Sequence, residues 1–154
     1  MYKKILLPID GSDISVQTAN SGISFARQIG AEIVVLNVTQ PFSTLVGFDG
    51  VAASYAISDT DYEEAARREA EEYLKPVMDR AETAGVKASS VIVSNYNVAD
   101  GVVEAAKDHG CDLIYIATHG RSGLSRLLLG SVTSKVIQLA PVSVLVYRLE
   151  GDKS

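Results

Sequence analysis

The chain has 154 residues, of which 47% are hydrophobic and 21% are charged, the size and balance of a single globular domain. A formal net charge of −5 argues against a nucleic-acid-binding protein, which normally presents a basic face. The single cysteine, Cys111, excludes an intramolecular disulfide and a cysteine-rich zinc site, and no apolar run approaches the roughly 20 residues of a membrane span.

The first half of the chain predicts two strands and two helices. Ile5–Ile9 is short and almost wholly apolar, as expected for a strand covered on both faces, and it reaches Asp10 too early for a signal peptide. We therefore expect a cytoplasmic protein without a membrane partner. The predicted elements are strand Ile5–Ile9, helix Ser15–Ile29, strand Ile33–Val38, surface loop Thr39–Thr60 and amphipathic helix Asp61–Ala84.

The second half continues the alternation of strand and helix. The predicted elements are strand Val91–Val93, helix Val98–His109, strand Leu113–Ile116, helix Ser131–Leu139 and strand Val142–Tyr147. Five strands alternating with four helices predict an open five-stranded parallel sheet with helices on both faces, an α/β fold in one domain. We expect this domain to span residues 1–148 and to be followed by a polar tail at 149–154.

A glycine-punctuated loop, Ala117–Ser131, joins the fourth strand to the fourth helix. Small residues at Gly120, Gly130 and Ser131 let backbone N–H groups approach a ligand, and the N-terminus of a helix favours anions. In an open parallel sheet the turn Asp10-Gly11-Ser12, after the first strand, faces the same crevice. The two turns together predict a phosphate-binding site.

The motifs of the chain resemble those of the universal stress protein family, in its ATP-binding branch. The resemblance runs from Ile5-Leu6-Leu7-Pro8-Ile9-Asp10-Gly11-Ser12 through Leu36-Asn37-Val38 and the glycine loop to Ala140-Pro141-Val142-Ser143-Val144-Leu145-Val146. The family's pattern is Gly, two residues, Gly, nine residues, then Gly followed by Ser or Thr, and Gly120 with Gly130-Ser131 matches its later part. This resemblance implies a Rossmann-like fold of the adenine nucleotide alpha hydrolase type.

The same resemblance implies a set of nucleotide contacts. The base would be bordered by Pro8, Ile9 and Val38, with Asp10 as a polar contact to the base or ribose. Ala117 and Gly120 would border the ribose and α-phosphate. Residues 121–123 would line the phosphate channel, and residues 130–133 would hold the β- and γ-phosphates. The implied cofactor-binding residues are Pro8, Ile9, Asp10, Val38, Ala117, His119, Gly120, Arg121, Ser122, Gly123, Gly130, Ser131, Val132 and Thr133. The ligand would be ATP, or ADP or AMP, with Mg²⁺ held through the phosphates because no carboxylate cluster is obvious in these loops.

Ala117 departs from the family pattern, because it stands where the pattern has its first glycine. Alanine loses access to positive φ. We therefore expect the substitution to be tolerated only if the backbone at this position has an ordinary conformation.

Several of these residues also have a purely structural interpretation. Asp10 is a candidate cap for the first helix, and Ser131 is the expected N-cap of the fourth. Taken alone, His119 is a solvent-facing loop histidine more often than a general base. The Glu- and Arg-rich face of Asp61–Ala84 is typical of a solvated surface with i,i+4 ion pairs.

Three functions remain open from the sequence. The leading one, implied by the resemblance, is an ATP-binding stress-response regulator that acts as a homodimeric switch, paired through the edge strand Val142–Tyr147, and that has a further protein partner. The second is a slow ATPase or a phosphotransferase, although no placed base, activating lysine or water-orienting glutamine is evident. The third is a nucleotide-independent interaction protein.

Overall fold

The computed structural model describes residues 1–43, 58–119 and 129–149. In these three segments five strands alternate with four helices, which confirms the predicted α/β class. The elements are β1 Lys4–Pro8, α1 Asp13–Ile29, β2 Glu32–Thr39, α2 Asp59–Thr83, β3 Ala88–Ser94, α3 Val98–Asp108, β4 Leu113–Ala117, α4 Ser131–Leu139 and β5 Ser143–Tyr147. None of these described helices has the length and apolar character needed to cross a bilayer.

The five strands form one parallel sheet in the order β3-β2-β1-β4-β5. β1 is central, and its Leu6 lies opposite Val34 of β2 and Ile114 of β4. Parallel neighbours require a crossover, which the four helices supply. The predicted open parallel sheet is confirmed.

Side chains that alternate along the strands divide the core into two layers. Ile5 and Leu7 of β1 pack with α1 and α2 on one face, whereas Leu6 packs with α3 and α4 on the other. Burying one such side chain completely contributes about 1.5–3 kcal/mol. Helices therefore cover both faces, as the apolar strands predict.

Cys111 lies in the layer beneath α3 and α4, where it is buried. Burial raises the pKa of its thiol to about 11, so the thiol stays protonated near neutral pH. Its interpretation as a small buried residue is confirmed.

The course of the chain explains where a ligand can bind. From β1 the chain moves outward to β2 and β3 with α1 and α2 on one face, and then returns to β4 and β5 with α3 and α4 on the other. The strand order therefore reverses between β1 and β4. At such a reversal the helices diverge and leave a crevice at the carboxyl ends of the strands.

Two helices begin earlier than predicted, because a serine precedes each of them. Ser12 and Ser58 take extended conformations and cap α1 and α2, accepting from the backbone N–H groups of Ser15 and Asp61. Within the predicted loop Thr39–Thr60, residues 44–57 lie outside the described residues.

β3 is longer than the predicted strand Val91–Val93. The added residues include Ser89 and Ser90, which are exposed on an edge strand and pair with β2 through the backbone. Hydrophobic patterning misses such residues because backbone pairing, rather than apolar burial, places them in the sheet.

Candidate functional site

A cleft of about 440 Å³ opens at the carboxyl ends of β1, β2 and β4. Ten of the fourteen predicted site residues are described, and all ten line it: Pro8, Ile9, Asp10, Val38, Ala117, His119, Gly130, Ser131, Val132 and Thr133. The other four, Gly120, Arg121, Ser122 and Gly123, lie outside the described residues. The structure thus brings together segments that are about 120 residues apart in the sequence.

The turn between β1 and α1 is held by its own side chains. Asp10 Oδ1 accepts hydrogen bonds from the backbone N–H of Ser12 at 2.9 Å and from its hydroxyl at 2.6 Å. Ser12 Oγ in turn accepts from the backbone N–H of Ser15 at 3.2 Å, which makes Ser12 the cap of α1. Asp10 therefore positions the cap and also lines the cleft, so its structural and ligand-facing roles are compatible.

Tyr73 of α2 presses against this turn at Gly11. Gly11 has φ +80°, and a Cβ placed there would overlap the Tyr73 ring. Both the left-handed backbone and the close ring require glycine at this position. The ring thereby fixes the loop that presents Asp10.

Asn37 ties the ends of β1 and β2 together. Its side chain is 6% exposed, and Nδ2 donates to the carbonyl oxygen of Ile9 at 2.9 Å. Sequence analysis assigned no role to Asn37, although an amide inside the apolar run Ile33–Val38 was the available signal. Because a buried amide requires a partner, Asn37 fixes the floor of the cleft beside Val38.

Ala117 is the last residue of β4, where it pairs with Tyr147 in extended conformation. Its carbonyl oxygen accepts a hydrogen bond from Thr133 Oγ1 at 2.8 Å, and both residues are buried. The backbone here has the ordinary conformation that alanine tolerates. The departure from the glycine pattern therefore causes no backbone strain.

α4 begins without a side-chain cap, which corrects the prediction that Ser131 is the N-cap. The cap position belongs to Gly130, whose extended backbone has φ −60° and ψ 154°, and Ser131 is the first helical residue. The Ser134 N–H donates to the Gly130 carbonyl at 2.9 Å, the first hydrogen bond of the helix, and the Gly130 N–H donates to the Thr118 carbonyl at 2.8 Å. The first residues of α4, 131–133, line the cleft, and no described side chain caps their amide groups. Amides at a helix N-terminus favour anions.

His119 is less exposed than a solvent-facing loop histidine. Its Nε2 is buried and has no hydrogen-bond partner among the described residues, and the residue lines the cleft. A buried polar nitrogen without a partner is costly. A ligand group that hydrogen-bonds this nitrogen would remove that cost.

α2 supplies a wall of the cleft that the sequence analysis did not identify. The residues on this wall recur at helical spacing, and they are Tyr62, Ala66, Glu69, Ala70 and Tyr73. The Glu- and Arg-rich face of the helix is solvated as predicted, with ion pairs Arg67–Glu71 at 3.1 Å and Lys75–Asp79 at 2.7 Å. Because most residues of α2 are charged or polar, the narrow stripe that faces the cleft is hard to recognise from the sequence.

The described residues offer no group of three histidine, cysteine or acidic side chains that could hold a metal ion. A divalent cation at this site would depend on ligand oxygens for most of its coordination. This donor set is compatible with a metal that arrives bound to phosphates.

Comparison with known proteins gives consistent results. The sequence pattern of the Universal stress protein family matches residues 1–148. Universal stress protein MJ0531 of Methanocaldococcus jannaschii is 37% identical over 148 residues, covering 96% of this chain and 83% of that protein.

Two solved structures share the fold along almost their whole length. Protein MJ0577 of the same archaeon has a TM-score of 0.81 at 26% identity, covering 99% of both chains. A universal stress protein in complex with cAMP has a TM-score of 0.70 at 26% identity, covering 97% of this chain and 99% of that one.

Proposed function

The chain belongs to the universal stress protein family, and from that premise we propose that it is an adenine-nucleotide-binding regulator of the stress response. ATP is the proposed ligand, and ADP and AMP occupy the same position with fewer phosphates. A relative of the same fold is in complex with cAMP, which supports an adenine nucleotide as the ligand class.

The observation that carries the proposal is the uncapped start of α4 on the cleft that all ten described site residues line. Unpaired amides at a helix N-terminus suit phosphate oxygens, which accept hydrogen bonds and carry negative charge. The buried Nε2 of His119 offers one further polar atom in the same cleft. Among the described residues, the cleft thus presents polar groups that an anionic ligand would satisfy.

In the proposed complex the nucleotide spans the cleft from β1 and β2 to α4. Pro8, Ile9 and Val38 form the base end, with Asp10 as a polar contact. Gly130–Thr133 holds the phosphates at the other end, together with the loop residues 120–123. Mg²⁺ is held through those phosphates.

We also propose that two copies pair through the strand predicted at Val142–Tyr147. β5 is an edge of the described sheet, and an apolar edge strand favours pairing with a second chain. Beside it, Ile137 and Leu139 of α4 are exposed apolar side chains. α4 therefore joins the phosphate end of the cleft to the proposed dimer edge, which supports a switch in which nucleotide alters dimer contacts.

Isothermal titration of the purified protein with ATP, with and without Mg²⁺, tests the ligand. We expect saturable binding with one site per chain, and no binding at millimolar nucleotide would overturn the proposal. Light scattering at micromolar protein tests the assembly, and a monomer would contradict the dimer.

A further inference from the structure

Gly101 lies in α3 at a position where the backbone does not require glycine. It is a helical residue without positive φ, and its N–H donates to the Asn97 carbonyl at 3.0 Å, the first hydrogen bond of the helix. Alanine is the better helix former at such a position, because glycine loses more conformational freedom on folding. The reason for glycine here therefore lies in what surrounds it.

A side chain at Gly101 would collide with the end of β2. A Cβ placed there would lie 2.9 Å from Val38 Cγ1 and 3.2 Å from Asn95 Cβ, whereas carbon atoms in ordinary contact are about 3.5–4 Å apart. Asn95 is held in place, since its N–H donates to the Thr39 carbonyl at 2.9 Å and its Oδ1 accepts from the Asn97 N–H at 2.9 Å. Val38 is therefore the neighbour that an added methyl group would displace.

Val38 also lines the cleft, so it has α3 on one side and the space for a ligand on the other. Its side chain packs with the core layer beneath α3 and α4. Val98 and Val102 of α3, one helical turn apart, line the cleft as well. The missing side chain at Gly101 thus lets Val38 pack against α3 and leaves the cleft open beside it.

We propose that Gly101 is a positioning residue for the ligand, because the room it leaves for Val38 sets the width of the cleft at its base end. This inference rests on the proposed nucleotide-binding function. Gly101 is not among the described residues that line the cleft, so it acts through Val38. The proposed phosphate end belongs to another segment, residues 130–133, and is independent of this contact.

The test is a double-mutant cycle between positions 101 and 38, in which isothermal titration on the full chain gives the dissociation constant of ATP. Gly101→Ala should weaken binding about tenfold, as expected for one overpacking methyl group at a close contact. In the Val38→Ala background the space is restored, and adding Gly101→Ala there should cause no further loss. 5′-AMP shares its base with ATP, so Gly101→Ala should weaken both nucleotides by the same factor.

A matched control is a helical glycine that packs tightly against the core outside the cleft. A Cβ placed at Gly22 of α1 would lie 2.6 Å from Leu7 Cδ2, and neither residue is among those that line the cleft. Gly22→Ala should therefore lower the free energy of unfolding, measured in urea, while the folded protein keeps the wild-type affinity for ATP. The comparison separates a change in cleft geometry from a general loss of stability.

Four results would overturn the inference while leaving nucleotide binding intact. They are wild-type ATP affinity in Gly101→Ala, the same loss in both position-38 backgrounds, the same loss in Gly22→Ala, and unequal losses for ATP and 5′-AMP.

A failure to fold is also informative. If Gly101→Ala does not fold alone, recovery of folding in the Val38→Ala background with the affinity of Val38→Ala supports the inference, and no recovery overturns it. If neither ATP nor 5′-AMP binds the wild-type protein, the proposed function itself fails, and this inference fails with it.

Discussion

The turn from β1 into α1 and the turn from β4 into α4 border the same cleft, but they treat the first amides of their helices differently. Before α1, Ser12 caps the helix and Asp10 holds Ser12, so side chains of the turn accept from the backbone N–H groups of Ser12 and Ser15. Before α4, the cap residue is Gly130, and no described side chain replaces the missing cap. We call the first of these the closed turn, because its own side chains cap the helix, and the second the open turn, because it has no described side-chain cap.

The difference has an energetic consequence. A serine or threonine N-cap stabilises a helix by only about a few tenths of a kcal/mol more than a glycine N-cap does, and α4 lacks that small contribution. A hydrogen bond to a charged group contributes about 1.5–3 kcal/mol, so a phosphate at α4 would more than replace it. A ligand that binds the folded protein through these amides would stabilise α4, and the variants below test that expectation.

The largest expected effect comes from obstructing the open turn with Gly130→Val. The branched side chain would fill the space in front of the first α4 amides, and we expect ATP affinity to fall by roughly 100-fold or more, the loss of about two charge-assisted hydrogen bonds. The backbone of Gly130 suits any residue, so the melting temperature of the unliganded protein should change little. Gly130→Ala is the graded control, and wild-type affinity in Gly130→Val would contradict the open-turn interpretation.

The closed turn is best disrupted at Gly11. Gly11→Ala should lower the free energy of unfolding by about 2–4 kcal/mol, since it combines left-handed backbone strain with overlap of the Tyr73 ring. Gly30→Ala is the matched control, because Gly30 has φ +68° but open space around it, and it should cost about 1 kcal/mol. Urea unfolding measures both, and equal costs would show that the ring contact is unimportant.

A smaller effect is expected from removing the side-chain hydrogen bond that joins α4 to the end of β4. Thr133→Val removes the hydroxyl that donates to the Ala117 carbonyl and should lower the free energy of unfolding by about 1–2 kcal/mol, with a parallel loss of ATP affinity. Thr133→Ser keeps the donor and should recover most of both quantities. A valine variant as stable as the wild type would mean that this bond does not position α4.

The smallest effect on stability is expected at Ala117, the last residue of the strand that leads into the open turn. Because β4 is already extended there, Ala117→Gly gains no needed conformation and should lower the free energy of unfolding by about 0.5–1 kcal/mol without raising ATP affinity. A clear gain in affinity would show instead that the methyl group obstructs the ligand.

The sequence predicted the sheet and most of the cleft because both depend on local patterns. Apolar runs locate the strands, and their parallel arrangement brings Asp10 and Thr133 to the same crevice. It misplaced the α4 cap, because serine is a better cap than glycine by propensity, whereas the first hydrogen bond of the helix runs from the Ser134 N–H to the Gly130 carbonyl. Whether the cleft residues bind nucleotide stays a prediction.

The contributions of α2 and Asn37 were missed for a different reason. Glu69 and Tyr73 become visible only once tertiary packing orients their helix face, since the surrounding residues of α2 are charged. Asn37 lies in a run that is otherwise apolar, and its role depends on the carbonyl of Ile9, the residue that follows β1. Such long-range partners cannot be inferred from the spacing of residues along one element.

The contact between Gly11 and Tyr73 also constrains how this sequence can evolve. A side chain at position 11 would overlap the tyrosine ring and would also have to adopt the left-handed backbone, so a smaller residue at position 73 removes only one of the two obstacles. Position 73 can therefore change while position 11 stays glycine, and the reverse order is disfavoured. Among relatives, we expect glycine to persist at position 11 even where the facing residue of the helix differs.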